Sequence, residues 1–369
     1  MSRNQNPVIH LTGQLRGTTQ KEAWIVDGIV TYKPIPGGAV SRELEGYIYP
    51  GLFDAHSHPG LKESPVPPSD DEIQHTFDVQ KSFGVTHIKD CGGQRNPNKA
   101  RRPGDPKVIH CGRHIAGIKR YARYLAEEIE PSRLVEVALM QLESSDGWIK
   151  LVGDWIDRSL GEDADLLPAW PRSALVDAVK ASHEKGGKVT VHTFATETID
   201  DLLIAEVDAI EHGAGMTREH MQEVKRRGLP VTPTVRQITE FPWYSAQAGK
   251  YPKYAQRMLN LALNRRKHLE MMLEEDVPLV MGSDSAFDDI DFKSLAVELV
   301  TAVSEGIPDS VAMKAASYLG RELMGLSTWE EGSPADFVVY TRDPENDITE
   351  VTRPLEVLID GISATNAEP

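Results

Sequence analysis

The sequence predicts an α/β protein, a (β/α)8 TIM-type barrel with a small composite β-sandwich domain built from both ends of the chain. Three observations predict it. Apolar strand-like runs alternate with helical stretches through the middle of the chain, the pattern of βαβ units. Short strands broken by Pro and Gly flank that region on both sides. The length, 369 residues, exceeds one ordinary domain and suits a barrel with an accessory domain. The expected division is residues 1–50 with 326–369 for the small β domain and 51–325 for the barrel.

Residues 8–11, 24–26 and 29–32 read as short strands, separated by turns around Pro34, Pro36 and Gly37. Eight strand–helix pairs follow. Strand 47–58 precedes a helix near 71–83. Strand 85–90 ends in Gly92-Gly93, with only a short helical stretch near 98–102. The remaining pairs are 107–111 with 131–144, 147–153 with 172–185, 188–194 with 197–206, 209–212 with 218–227, 230–235 with 254–275, and 278–283 with 292–305. A further helix is expected over 309–323. After Gly325 the pattern returns to β at 336–340 and 355–359, and these strands are expected to join the N-terminal ones.

Composition narrows the function. A net charge of −16 argues against nucleic acid, which calls for a basic patch. No run approaches the roughly 18 apolar residues that cross a bilayer, and the start of the chain has no apolar signal region. Two cysteines, Cys91 and Cys111, are too few for a disulfide framework, so a cytoplasmic setting is expected. Packing is the better use for both, since a catalytic cysteine calls for a dedicated histidine.

Candidate chemistry sits at the strand ends, where barrel active sites lie. His56 and His58 stand two apart on the first strand and so face the same way. Alone, the pair reads either as half of a metal's ligand set or as a surface His-x-His. Lys150 lies inside the apolar run Trp148-Ile149-Lys150-Leu151-Val152. Burial favours its free amine, which takes up CO2 to form a two-oxygen carbamate ligand; the alternative is a lysine snorkelling to the rim. His192, His212 and Asp284 end the fifth, sixth and eighth strands. Each has a plain alternative, a satisfied core histidine or a helix N-cap. Asp288 and Asp291 are better placed to cap the eighth helix, which leaves Asp284 for the site. Glu211 is expected to face outward, opposite His212.

With these residues in place the chain resembles the amidohydrolase superfamily along essentially its whole length. Gly51–His58 resembles the strand-one signature, and Ser333-Pro334-Ala335-Asp336-Phe337-Val338-Val339 the closing strand. Gly84-Val85-Thr86-His87-Ile88-Lys89-Asp90-Cys91-Gly92-Gly93, His212-Gly213 and Val231-Thr232-Pro233-Thr234 resemble the binuclear branch of imidazolonepropionase-like and prolidase-like metal-dependent hydrolases. The resemblance implies two divalent metals, zinc first, with manganese, cobalt or iron also suited. It implies one metal on His56, His58, carboxylated Lys150 and Asp284, and the other on His192, His212 and the same carbamate. It further implies a bridging hydroxide and Asp284 as catalytic proton shuttle in the hydrolysis of an amide, cyclic amide, carbamate or dipeptide-like bond. A lactonase or organophosphate esterase is the alternative with the same metals. One-metal deaminases of the superfamily carry a glutamate three residues after the strand-five histidine; here Ala195 stands there. An inactive scaffold is disfavoured, because all six ligand positions are filled.

The pocket is less legible. His114, Arg113, Trp155 and Arg236 are candidate substrate contacts, each with a solvated or structural alternative. Arg120, Asp154 and Asp157 share that status. A glycine-glycine-histidine element found in several prolidase-like relatives is missing near His114. Residues 241–254, with Phe241, Trp243, Tyr244, Tyr251 and Tyr254, read as an aromatic loop that forms either a lid or a subunit interface. The expected partner is a small molecule, with neither nucleic acid nor membrane and with homo-oligomerisation open.

Overall fold

The computed structural model describes residues 7–36 and 39–364. Its centre is parallel sheet in two arcs. The first runs Val231–Thr232, Ala209–His212, Lys188–Thr193, Trp148–Val152, Ile115–Gly117 and Glu127–Ile129. The second runs Ser285–Ala286, Leu52–His58, Val85–Asp90 and Lys107–His110. Backbone hydrogen bonds cross both seams. At one, Asp146 N donates to His110 O over 2.8 Å. At the other, Val280 N donates to Val231 O and Ala55 N donates to Met281 O.

The long helices follow the apolar periodicity. Asp70–Ser82 has a capping box between Ser69 and Glu72, and Arg218–Arg227 has one between Thr217 and His220. The helices lay apolar faces on the strands, which gives one large core that includes Phe77, Ile149, Val191, Ile210 and Leu299. No helix among the described residues is long and apolar enough to cross a membrane.

Several elements differ from expectation. The second pair has only a 3-10 turn, Pro97–Lys99. The expected strand 278–283 forms no regular ladder: it shares two backbone bonds with Val231, through Pro278 O and Val280 N, and takes one from Ala55 N at Met281 O. The expected loop over 241–254 is in part a helix, Phe241–Gln247, started by a proline in its first turn, where a missing N–H costs nothing. Expected helix 309–323 breaks at Ser317, whose hydroxyl donates to Pro50 O over 2.5 Å. Neither Asp288 nor Asp291 caps a helix: Asp288 accepts from Glu63 N, and Asp291 pairs with His75. The capping argument that left Asp284 free therefore fails, although Asp284 caps nothing either.

Strands from both ends of the chain share one seven-stranded sheet. Its order is Ile362–Ser363, Glu356–Ile359, Phe337–Tyr340, Arg42–Pro50, Ile9–Leu15, Ala23–Val26 and Ile29–Thr31. Its core gathers Leu11, Ile25, Ile48, Val339 and Leu358 around Phe337, which stacks on Trp329 at 4.2 Å. Phe337→Ala removes this stack and leaves a cavity, so urea denaturation is expected to show a loss of about 3–5 kcal/mol. A loss under about 1 kcal/mol would mean that the sheet contributes little to global stability.

Candidate metal centre

Six side chains from five strand ends meet in one buried cluster. His56 and His58 end the Leu52–His58 strand, with their Nε2 atoms 3.2 Å apart. Asp284 Oδ1 lies 3.2 Å from His56 Nε2 and 3.3 Å from His58 Nε2. Lys150 Nζ is 3.4 Å from His56 Nε2. The rings of His192 and His212 stand 4.6 Å apart, and His212 stands 4.9 Å from His56. The sequence-predicted ligand set is therefore brought together.

Local backbone explains the convergence. Strand alternation alone would turn either Glu211 or His212 away from the interior. His212 has φ 68°, however, and this left-handed residue ends the alternation, so both side chains are buried together. The expectation that Glu211 faces outward is corrected: it is 0% exposed. Asp284 also has positive φ, 55°, and its N–H donates to His56 O over 2.7 Å. At Gly282 a Cβ would come within 2.6 Å of His56 N, so the segment carrying Asp284 can approach the first strand only there. Asp54, missed in the sequence, fastens the two: it accepts from Ser283 N (2.9 Å), Ser283 Oγ (2.6 Å) and Gln80 Nε2 (2.6 Å).

The histidines are held by their far nitrogens. His56 Nδ1 donates to Glu211 Oε2 (2.8 Å) and His58 Nδ1 to Gly92 O (2.8 Å), and His212 Nδ1 shares a 2.6 Å hydrogen bond with Thr234 Oγ1. The acceptor-only partners leave Nε2 of His56 and His58 as lone pairs aimed inward, and His192 Nε2 is buried with no partner among the described residues. Burial holds His192 and His212 well below the usual imidazole range. Burial and Lys150 push His56 down, but Glu211 and Asp284 outweigh them and raise it. Burial opposes ionisation of Asp284, yet His56, His58 and His212 hold its carboxyl well below the usual range. Neutral imidazoles, a carboxylate and a lysine around one point make a donor set that fits divalent metal.

Glu211 has a second partner that the sequence reading also missed. Lys89, buried on the Val85–Asp90 strand of the other arc, donates to Glu211 Oε1 over 2.8 Å and lies 4.5 Å from the Trp148 ring centre. Thr190 Oγ1 donates to the same carboxylate. Lys89 carries the same signal as Lys150, a lysine inside an apolar strand. Only Lys89 has a carboxylate; Lys150 has no ion-pair partner among the described residues. The two free cysteines, Cys91 and Cys111, are buried here, and Cys91 Sγ stands 3.7 Å from Glu211 Oε1.

The substrate candidates divide. His114 is buried with its ring 6.0 Å from that of His58, and neither ring nitrogen has a hydrogen-bond partner. Trp155 packs 5.5 Å from His192, and its buried indole nitrogen is unpartnered. Arg113 and Arg236 are tied to protein groups instead: Arg113 to Tyr124 O and Leu125 O, Arg236 to Glu240 and Thr239. Asp154 is structural as well. It accepts from Thr193 Oγ1, Phe194 N and Ala195 N, and burial pushes its pKa up to about 6 despite those bonds. Phe241 is buried against Phe194, whereas Trp243 is 62% exposed.

A family model, the amidohydrolase family, matches residues 163–362. An uncharacterised protein of Mycobacterium tuberculosis is 33% identical over 342 residues, covering 91% of this chain and 90% of its own. Among solved structures, an Xaa-Pro dipeptidase with bound methionine superposes with a TM-score of 0.79 at 18% identity, over 96% of this chain and 99% of that one. The ochratoxinase of A. niger gives 0.77 at 17% identity, over 98% and 96%. The chain belongs to the amidohydrolase family. It is a metal-dependent hydrolase of amide-type carbon–nitrogen bonds.

Glu211→Gln leaves Lys89 buried without its counter-charge, and a loss of about 3–5 kcal/mol in denaturant unfolding is expected. A neutral result would show that Lys89 finds another partner. Glu298, buried at the start of the Val235–Thr239 helix, supplies a pH signature. Burial raises its pKa to about 8, although Val235 N and Arg236 N donate to it. A carboxyl whose folded pKa stands above its unfolded value favours the folded state while protonated. Its contribution is full below about pH 4.5 and is lost as pH rises to about 8. Glu298→Gln should therefore flatten the fall in melting temperature between those limits, and parallel curves for the two proteins would refute the assignment.

Proposed function

We propose that the site holds two divalent metals, zinc in the first instance, and hydrolyses an amide-type bond of a small molecule in the cytoplasm. The ligands are His56, His58, Asp284 and carboxylated Lys150 for one ion, and His192, His212 and the same lysine for the other. The surrounding parallel strands are read as a (β/α)8 barrel, with the terminal sheet as its small composite domain. The observation that carries the proposal is the inward Nε2 lone pairs of His56 and His58, each fixed by a bond from Nδ1 to an acceptor, with the His212 ring held beside them by Thr234. Support for a carboxylated Lys150 comes from its having no carboxylate at ion-pair distance among the described residues, beside Lys89, which has one. When bound, divalent ions supply Lewis acidity and bring the pKa of coordinated water to about 7.

The chain's own residues do the rest. Asp284, ionised and with Oδ1 3.2 Å from His56 Nε2 and 3.3 Å from His58 Nε2, takes the proton from the attacking water at its carboxylate and returns it to the departing nitrogen. His114, beside His58 with both nitrogens free, orients the substrate carbonyl. Glu211 keeps the His56 ring in its tautomer.

Elemental analysis of protein grown with zinc and bicarbonate should find about two metals per chain. About one metal would favour a deaminase-like centre, and none after reloading would remove the binuclear mechanism. Asp284→Asn should keep the fold and lower kcat by about 10²–10⁴; turnover at the parent rate would exclude the proton-shuttle role. Lys150→Ala should lose metal while its circular dichroism stays unchanged.

A further inference from the structure

Ring contacts run without a gap around the ligand histidines. From centre to centre, Tyr121 lies 4.6 Å from Trp155, Trp155 5.5 Å from His192, His192 4.4 Å from Phe194, Phe194 4.8 Å from Phe241, and Phe241 6.2 Å from Tyr244. Tyr121 also lies 5.0 Å from His114 and 6.0 Å from His192, His114 lies 6.0 Å from His58, and Phe194 lies 4.7 Å from His212. The rings therefore flank the cluster on the sides of His58, His192 and His212. A substrate above the metals meets ring faces and edges there, which reward an apolar or aromatic group.

The cations around the cluster are committed elsewhere. Arg113 serves the carbonyls of Tyr124 and Leu125 and faces Glu127 at 3.6 Å. Arg120 pairs with Asp157 at 3.2 Å and donates to the carbonyls of Trp155 and Leu167. Arg236 pairs with Glu240 at 3.0 Å, and Lys293 lies 3.0 Å from both Glu240 and Asp289. Lys119, Arg123 and Arg158 are exposed and line a basin together with Arg120, Tyr121, Glu128, Glu130 and Asp157. Over the cluster a substrate carboxylate would face Asp284, and the nearest guanidinium, that of Arg120, is already paired with Asp157. Among the described residues, the buried nitrogens without a partner here are the Trp155 indole N–H, the His114 ring nitrogens and Arg120 Nε, whose charge Asp157 already meets.

We propose that this site is built for neutral amides bearing an aromatic or bulky apolar group, and not for dipeptides or N-acyl amino acids with a free α-carboxylate. This rests on the hydrolytic function proposed above. The reaction balances as R–CO–NH–R′ + H2O → R–COO⁻ + R′–NH3⁺: the C–N bond breaks, a C–O bond forms and no redox partner enters.

A matched pair tests it: N-(2-phenylethyl)benzamide and N-benzoyl-phenylalanine, which differ by one carboxylate. With zinc-loaded full-length protein, benzoate release is followed by chromatography, and binding by quenching of tryptophan fluorescence. The neutral amide should show kcat/KM at least about tenfold higher and should bind more tightly, tenfold being about 1.4 kcal/mol. It should also exceed N-ethylacetamide by at least as much. Preference for the acid, or equal values for the pair, would overturn the proposal, as would equal values for the amide and N-ethylacetamide. If neither member of the pair is cleaved, binding decides. Tenfold tighter binding of the neutral amide upholds the pocket's preference and counts against hydrolysis, whereas equal or reversed binding overturns the preference itself.

Discussion

One buried carboxylate organises the centre of this molecule. Glu211 has no solvent, and it stays ionised because Lys89 sits on one oxygen and His56 on the other. Burial opposes that charge, but Lys89, His56 and Lys150 together hold the carboxyl well below its usual range. The arrangement joins the Leu52–His58, Val85–Asp90 and Ala209–His212 strands through side chains as well as through backbone. A buried pair of this kind contributes little net stability against an apolar replacement, yet losing one member is costly. It buys orientation: His56 has one tautomer and one ring plane.

The rest of the site repeats that logic with weaker groups. Gly92 O does for His58, and Thr234 for His212, what Glu211 does for His56. Asp54 and Asp154 sit a layer below, each spending a carboxylate on backbone N–H groups beside a ligand. Donors and acceptors around the histidines are thus largely used up by the protein, and His192 Nε2 and the His114 ring nitrogens are among the few buried atoms left without a partner among the described residues.

How much of this the sequence carried depended on periodicity. His56 and His58 were legible because two apart on a strand means one face. His192, His212 and Asp284 followed from their places at apolar run ends, and Lys150 from its place inside one. Glu211 was misread because the left-handed backbone at His212 breaks the alternation on which the reading rested. Lys89 was overlooked although it has the same signature as Lys150; only a partner in space separates them. The 241–254 stretch was read as an aromatic loop, yet Pro242 and Pro252 stand in the first turns of two helices, where proline starts a helix as readily as it ends one. Alternating strands and helices gave the α/β class and the parallel sheets, but not the missing ladder at residues 278–283, where side chains replace backbone pairing.

The shared terminal sheet has a temporal meaning. The Arg42–Pro50 strand, which leads directly into the histidine-bearing strand, pairs on one side with Ile9–Leu15 and on the other with Phe337–Tyr340. During synthesis its second neighbour leaves the ribosome almost 290 residues later. Until then one edge of that strand is bare, and the segment carrying the first two ligands has no fixed root. The nascent chain must therefore keep an unpaired β edge from its neighbours for most of its translation, and the strand that leads into His56 and His58 gains its second neighbour only once residues 337–340 have been made.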